Sequence, residues 1–179
     1  MALKIHLPLE TNNIDATGTH TLTNVTGDAG DGPSFNNASI ANWGGASCDL
    51  QDDDRITVSP ALEIAQDADM TCMCWVHCND SDSPSYICSG ASGSDGFEML
   101  RTATNDIGAR FGSQIVYGTG TVPTEDENYH ICFTRVGSSG LVSIYVDGVE
   151  VAGYASSWGS GSLQASTKNW ERGLVTVPI

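Results

Sequence analysis

The chain has 179 residues, with 22 acidic and 7 basic side chains and a formal net charge of −15. This length fits one domain, and the charge argues against nucleic acid or anionic lipid as the partner, because both need a basic footprint. Charged residues are only 16% of the chain, so Gly, Ser, Thr and Asn dominate the polar surface, as in an all-β domain with many turns.

The N-terminal segment carries no recognisable targeting signal. Its apolar residues alternate with polar ones, and Pro8 follows quickly, whereas a signal peptide needs an apolar run of at least about seven residues. No stretch approaches the roughly 18 apolar residues of a membrane span. We therefore expect synthesis in a cytoplasm and no membrane partner.

Alternating apolar and polar residues, separated by turn residues, predict strands along the whole chain. In chain order, the predicted strands are residues 3–9, 19–25, 54–58, 71–78, 85–88, 96–101, 107–111, 115–116, 129–136, 141–146 and 174–177. One short helical turn is predicted at 61–66, after Pro60, and a flexible loop at 156–162.

The predicted strand 71–78 has two distinct faces. Cys72, Cys74, Val76 and Cys78 share one face, and the opposite face carries Thr71, Met73, Trp75 and His77. Because both faces carry large apolar groups, we expect a central strand of a two-sheet stack, with Trp75 in the core.

The segment from residue 129 to 146 predicts a hairpin. Strand 129–136 meets the Gly-Ser-Ser-Gly turn at 137–140 and returns as strand 141–146. Asp147-Gly148 then gives a second turn signal, because glycine adopts positive φ at little cost.

These segments, taken in order, resemble the concanavalin A-like (laminin-G-like) jelly-roll superfamily over roughly residues 3–152. Asp15-Ala-Thr-Gly18 resembles the family's Asp-x-Ser/Thr-Gly turn, and Asp54-Arg-Ile-Thr-Val58 resembles its next strand. Met70-Thr-Cys-Met-Cys-Trp-Val76 is similar to Phe-Thr-Ile-Ser-Phe-Trp-Val. Asn128-Tyr-His-Ile-Cys-Phe-Thr-Arg135 is similar to Trp-His-His-Val-Ala-Val-Thr-Arg, which places His130 on the sheet surface. Ser143-Ile-Tyr-Val-Asp-Gly-Val-Glu150 matches Leu-Tyr-Val-Asp-Gly-Val most closely.

The resemblance implies an all-β fold, two antiparallel sheets in a concanavalin A-like jelly roll. We assign residues 1–155 to this domain and 156–179 to a Gly/Ser-rich loop with a C-terminal strand or arm. The family usually adds two or more long strands where this chain has only about 28 residues. An unfinished sheet edge would invite a partner, so we expect a homo-oligomer.

Hydrolase and zinc chemistry are both disfavoured. Family glucanases carry Glu-x-Asp-x-x-Glu on one strand, a pattern this sequence lacks, and Glu125 and Glu127 belong to a predicted loop. Cys72 and Cys78 would lie roughly 20 Å apart along one strand, too far for one zinc ion. Cys78 and Cys88 flank a turn and could pair, but reduced thiols are favoured without a secretion signal.

Binding residues are predicted in loops. The resemblance implies a structural calcium in some members, and Asp15 is the best candidate ligand, although no cofactor is firmly implied. Sugar binding needs a stacking aromatic, which Trp43 and Trp158 could provide, and the tail pairs Trp170 with Arg172, a cluster suited to an acidic neighbour.

Two functions follow from the resemblance, neither of them enzymatic. The start of the chain resembles bacteriophage virion accessory proteins with this domain. This likeness implies a capsid decoration (cement) or tail accessory subunit on the virion surface, bound to the major capsid protein or another virion protein. The alternative is a carbohydrate-binding module or lectin for host adhesion, with a glycan as partner.

Overall fold

The computed structural model describes the backbone of ten ranges and one isolated residue. The described residues are 16–26, 32, 55–60, 68–77, 85–89, 97–101, 106–111, 114–118, 128–137, 139–155 and 174–176. The strand predicted at 3–9 and the helical turn predicted at 61–66 lie outside them. No helix within this part of the chain is long and apolar enough to cross a membrane.

The described elements are eleven strands. They are β1 (Thr21–Val25), β2 (Arg55–Ser59), β3 (Met70–His77), β4 (Ser85–Ser89), β5 (Phe97–Arg101), β6 (Ile107–Phe111), β7 (Gln114–Gly118), β8 (Asn128–Val136), β9 (Leu141–Val146), β10 (Val149–Ala155) and β11 (Leu174–Thr176). Ten of them coincide with predicted strands to within a few residues, which confirms the all-β prediction.

The strands form three antiparallel sheets. A five-stranded sheet has the order β10-β9-β8-β3-β11, a four-stranded sheet the order β4-β5-β6-β7, and β1 pairs with β2. β11 pairs with β3 of the same chain, with Val175 opposite Val76, so the predicted C-terminal strand returns to the sheet. β3 and β8 thus lie in the centre of the larger sheet.

A continuous apolar core joins the sheets. Its buried residues are Ile56, Met70, Cys74, Val76, Met99, Ile107, Ala109, Tyr129, Ile131, Phe133, Val142 and Ile144. Met99, Ile107 and Ala109 come from the four-stranded sheet, and most of the others come from one face of the five-stranded sheet. The two sheets therefore stack as a β-sandwich, with their inner side chains forming the core between them.

The hairpin between β9 and β10 confirms the Asp-Gly turn. Val146 pairs with Val149, so Asp147 and Gly148 alone make the connection. Both have positive φ, 49° and 79°, as two-residue turns of type I′ require. The strand after this turn, β10, was not predicted, because its register shifts between Glu150 and Ala152 and the bulge interrupts the alternation.

The prediction for Trp75 was wrong. In β3 the buried residues are Met70, Cys74 and Val76, while Met73 on the opposite face is 56% exposed and Trp75 only half-buried. The cysteine-bearing face packs on the other sheet, because small thiols behave there as apolar core groups. Trp75 consequently lies on the outside of the sandwich.

Candidate functional site

The side of the five-stranded sheet that points away from the core carries most of the chemically distinctive side chains described. We call it the outer face. Strand alternation and register place on it Thr71, Met73, Trp75, His77, Asn128, His130, Cys132, Thr134, Ser143, Tyr145 and Glu150. The prediction that His130 lines the sheet surface is confirmed.

Two neighbouring cross-strand pairs form the centre of the outer face. Trp75 is directly opposite His130, and their rings pack in a tilted arrangement, with centroids 5.2 Å apart and planes at 57°. This tilted geometry is among those that aromatic quadrupoles favour. His77 is opposite Asn128, whose amide oxygen accepts a 3.2 Å hydrogen bond from Nδ1 of the imidazole. An indole surface thus lies beside an amide and two imidazoles.

Asp147 fixes the position of His130 from the neighbouring hairpin. The backbone N–H of Asp147 donates to the carbonyl of His130, and the backbone N–H of His130 donates to Oδ1 of Asp147, both at 2.8 Å. The turn of the β9–β10 hairpin is therefore tied to the strand that carries the histidine. This constraint fixes the backbone of His130 opposite Trp75.

A second row of the outer face runs parallel to the first. Met73 is opposite Cys132, Cys132 is opposite Tyr145, and Tyr145 is opposite Glu150 on β10. Burial raises the pKa of the Cys132 thiol above its ordinary 9.0, and the nearby Cys72 raises it further. A thiol kept protonated is a poor nucleophile and behaves as a packing group.

Charge is distributed unevenly around this sheet. Arg135 is on the core side of β8 and only 5% exposed, so its guanidinium contributes little to the surface. Asp147 and Glu150, by contrast, are exposed at the side of the outer face formed by β9 and β10. The hairpin side of the face is consequently acidic.

The binding residues predicted from sequence are not placed by the structure. Asp15, Trp43, Trp158, Trp170 and Arg172 all lie outside the described residues. Calcium at Asp15 and ligand contact by the other four stay predictions. Within the described ranges, no group of three or more His, Cys, Asp or Glu side chains could hold a metal ion.

Sequence reasoning overlooked the outer face as a site. Trp75 was predicted to lie in the core, and His77 was not predicted as a site residue. Strand alternation could have revealed this face, because residues two apart on a strand lie on the same side of the sheet. Thr71, Met73, Trp75 and His77 are spaced in this way. The thiols of Cys72, Cys74 and Cys132 form no disulfide.

The outer face has the parts of a carbohydrate platform. A sugar ring presents apolar C–H groups on its flat side and hydroxyls around its edge. Trp75 offers an aromatic surface, and Asn128, His77 and the hydroxyl of Tyr145 offer hydrogen-bonding groups within neighbouring rows. Such an arrangement can contact both the flat side and the edge of a sugar ring.

Comparisons with solved structures agree with this fold. The chain is similar to the binding domain of botulinum neurotoxin DC, solved with rat synaptotagmin II, at a TM-score of 0.60 and 10% identity, over 97% of this chain and 43% of that one. A structure of botulinum neurotoxin type C comes from work on its interaction with two ganglioside molecules. It gives a TM-score of 0.62 and 10% identity, over 98% of this chain and 44% of that one. The chain thus spans less than half the length of both toxin chains.

A bacterial enzyme domain is also similar. Domain 4 of AbnA, an extracellular arabinanase from Geobacillus stearothermophilus in complex with arabinotriose, gives a TM-score of 0.52 and 14% identity, over 90% of this chain and 76% of that one. At such identities, the likeness concerns the fold alone. None of the curated proteins compared matches the sequence.

A family match by sequence carries more weight. Residues 50–172 match Laminin_G_3, described as the Concanavalin A-like lectin/glucanases superfamily. The matched segment contains the central strands β3, β8 and β9 and the Asp147-Gly148 turn. Because it spans more than half of the sequence, the chain belongs to the concanavalin A-like lectin/glucanase superfamily.

Proposed function

We propose that this chain is a non-enzymatic glycan-binding module whose ligand surface is the outer face. The observation that carries the proposal is Trp75. It is a large aromatic side chain on the solvent side of a central strand, half-buried and packed by His130 at 5.2 Å. An indole held in one orientation can stack on a sugar without losing further conformational freedom on binding.

The surroundings of Trp75 supply the polar half of the recognition. The His77–Asn128 pair lies one row away and presents an amide and an imidazole already oriented by their mutual hydrogen bond. Groups oriented before the ligand arrives add directional contacts at lower entropic cost. The similar solved structures described with ganglioside and with arabinotriose lend support through the shared fold.

A glycan array followed by calorimetry on the best ligand tests the proposal. Trp75→Ala should weaken binding at least about tenfold, since buried aromatic anchors dominate ligand affinity, whereas Trp75→Phe should retain part of it. Val149→Ala is the matched control, because Val149 is 66% exposed at the hairpin but lies off the outer face. Recovery of the oligosaccharide intact would agree with a non-enzymatic role.

The opposite outcome is equally clear. Wild-type affinity in a folded Trp75→Ala variant would show that the outer face is not the ligand surface. Loss of affinity in Val149→Ala of the same size would mean that the effect of Trp75→Ala is not local. Cleavage of the bound glycan would overturn the non-enzymatic assignment.

We infer further that the module works on a virion surface, as a capsid decoration or tail accessory subunit bound to a capsid or other virion protein. The net charge of −15 supports this setting, because like-charged copies stay soluble and apart when crowded. Burial of Arg135 in the core makes the surface more acidic still. Copies of the chain are expected to assemble as a homo-oligomer.

Quantitative mass spectrometry of purified virus particles tests the setting independently of sugar binding. A fixed ratio to the major coat protein that survives high salt is the expected result. Absence of the chain from particles would overturn the virion role. It would not affect the glycan-binding proposal, which is argued from the outer face and does not depend on the virion setting.

A further inference from the structure

We propose that the outer face selects uncharged glycans and discriminates against glycans that carry carboxylates. This inference rests on the proposed glycan-binding function and specifies its ligand class. It is carried by the acidic hairpin side of the face, formed by Asp147 and Glu150, within a chain of net charge −15.

The register fixes where these two carboxylates are relative to the aromatic platform. Asp147 is joined to His130, which is itself opposite Trp75, and Glu150 is opposite Tyr145 in the next row. Trp75 is on β3 and Asp147 follows β9, so two strand spacings, about 10 Å, separate them. A ligand stacked on Trp75 and extending across the strands therefore approaches both acids.

Both acids are available to act on a ligand. Asp147 uses Oδ1 to accept the His130 N–H, a contact that keeps its negative charge beside the platform. Glu150 is exposed at the start of β10, next to the register shift that follows it. Bulges commonly re-aim side chains where strands meet a functional surface.

The size of the effect follows from Coulomb's law. Two unit charges of like sign about 10 Å apart in water repel each other enough to weaken binding about twofold. Asp147 should therefore weaken the binding of a carboxylate above Trp75 about twofold at low ionic strength. Glu150 is on β10, three strand spacings or about 15 Å from Trp75, and should add about 1.6-fold, so the two acids together weaken binding about threefold. Physiological salt, with a Debye length of about 8 Å, should reduce the difference substantially.

An array of paired oligosaccharides, identical except for a terminal carboxylated sugar, tests the inference at low and high salt. The neutral member of each pair should bind about threefold more tightly at low salt, and the gap should close as salt rises. Glu150→Gln keeps the size of the side chain and removes its charge, so the ratio of neutral to carboxylated affinity should fall from about threefold to about twofold. The ratio is the readout because any change in affinity common to both members cancels in it. Asp106→Asn, which makes the same charge change next to β6 of the other sheet, is the matched control and should leave the gap unchanged.

The outcomes separate this inference from the function on which it rests. Equal or tighter binding of the carboxylated members overturns the selectivity and leaves glycan binding intact. An equal effect of Asp106→Asn and Glu150→Gln overturns the role of the acidic hairpin side in the same way. Failure of both members of every pair to bind overturns the proposed function and the selectivity together.

Discussion

Asp147 and His130 are joined by two hydrogen bonds of 2.8 Å that run in opposite directions between the β9–β10 hairpin and strand β8. In one, the backbone N–H of Asp147 donates to the His130 carbonyl, and in the other its carboxylate accepts from the His130 N–H. Asp147 is also the first residue of a two-residue turn, with φ at 49°. One aspartate therefore both shapes the hairpin and fixes the backbone of His130, whose ring packs on Trp75.

Replacing Asp147 by alanine should lower stability by about 1–2 kcal/mol. The substitution removes the side-chain acceptor of the His130 N–H, a charge-assisted hydrogen bond, and places alanine in a left-handed conformation that aspartate tolerates better. Urea unfolding followed by circular dichroism measures the change. Asp147→Asn is the control, because asparagine keeps an acceptor oxygen and also tolerates this conformation, so most of the stability should return. Equal losses in the two variants would contradict this account.

The strands around that hairpin were predictable because local chemistry and the global fold agree there. β3 and β8 alternate cleanly, and Asp147-Gly148 ends β9 with a turn that few other dipeptides favour. β10 was missed for the opposite reason. The bulge after Glu150 shifts the register, so the apolar and polar residues of β10 do not alternate with a period of two.

Which face of β3 is buried could not be read from the sequence. Parity groups Cys72 with Cys74 and Met73 with Trp75 correctly, but it does not say which group meets the other sheet. Residue size favoured burying Trp75, whereas the structure buries Cys74 and leaves Met73 56% exposed. The choice is made by Met99, Ile107 and Ala109, which pack from strands distant in sequence.

The two aromatic residues Phe133 and Trp75 should respond very differently to truncation. Phe133 is fully buried, so Phe133→Ala should cost about 3–5 kcal/mol by removing apolar contacts and leaving a cavity. Trp75 packs on the outside against His130, so Trp75→Ala should cost only about 1–2 kcal/mol. Chemical denaturation of both variants measures the difference. A larger loss of stability for Trp75→Ala than for Phe133→Ala would indicate that Trp75 lies in the core, contrary to the arrangement described above.

Gly148→Ala should destabilise the protein by about 1–2 kcal/mol through backbone strain alone. Gly148 has φ at 79°, a region that side chains disfavour, yet a Cβ built there meets no atom within 4 Å. Gly148→Asn serves as the control, because asparagine tolerates positive φ better than alanine does. Since no steric clash is involved, Gly148→Asn should lose less stability than Gly148→Ala. Thermal unfolding of the three proteins provides the ranking. A neutral Gly148→Ala would show that the turn relaxes to another type.

The raised pKa of Cys132 predicts a loss of stability at alkaline pH. Burial and the neighbouring Cys72 raise the pKa of this thiol in the folded protein above its ordinary value of 9.0. Below pH 9 the thiol is protonated in both folded and unfolded chains, so its contribution is fully present. As the pH rises beyond 9, the unfolded chain loses the proton first, and stability falls until the pH has passed the folded pKa. Cys132→Ala should remove this part of the alkaline decline, which urea midpoints at pH 7 and pH 10 would reveal as a smaller drop for the variant. An identical drop in both proteins would mean that other groups, such as tyrosines, account for all of the pH dependence.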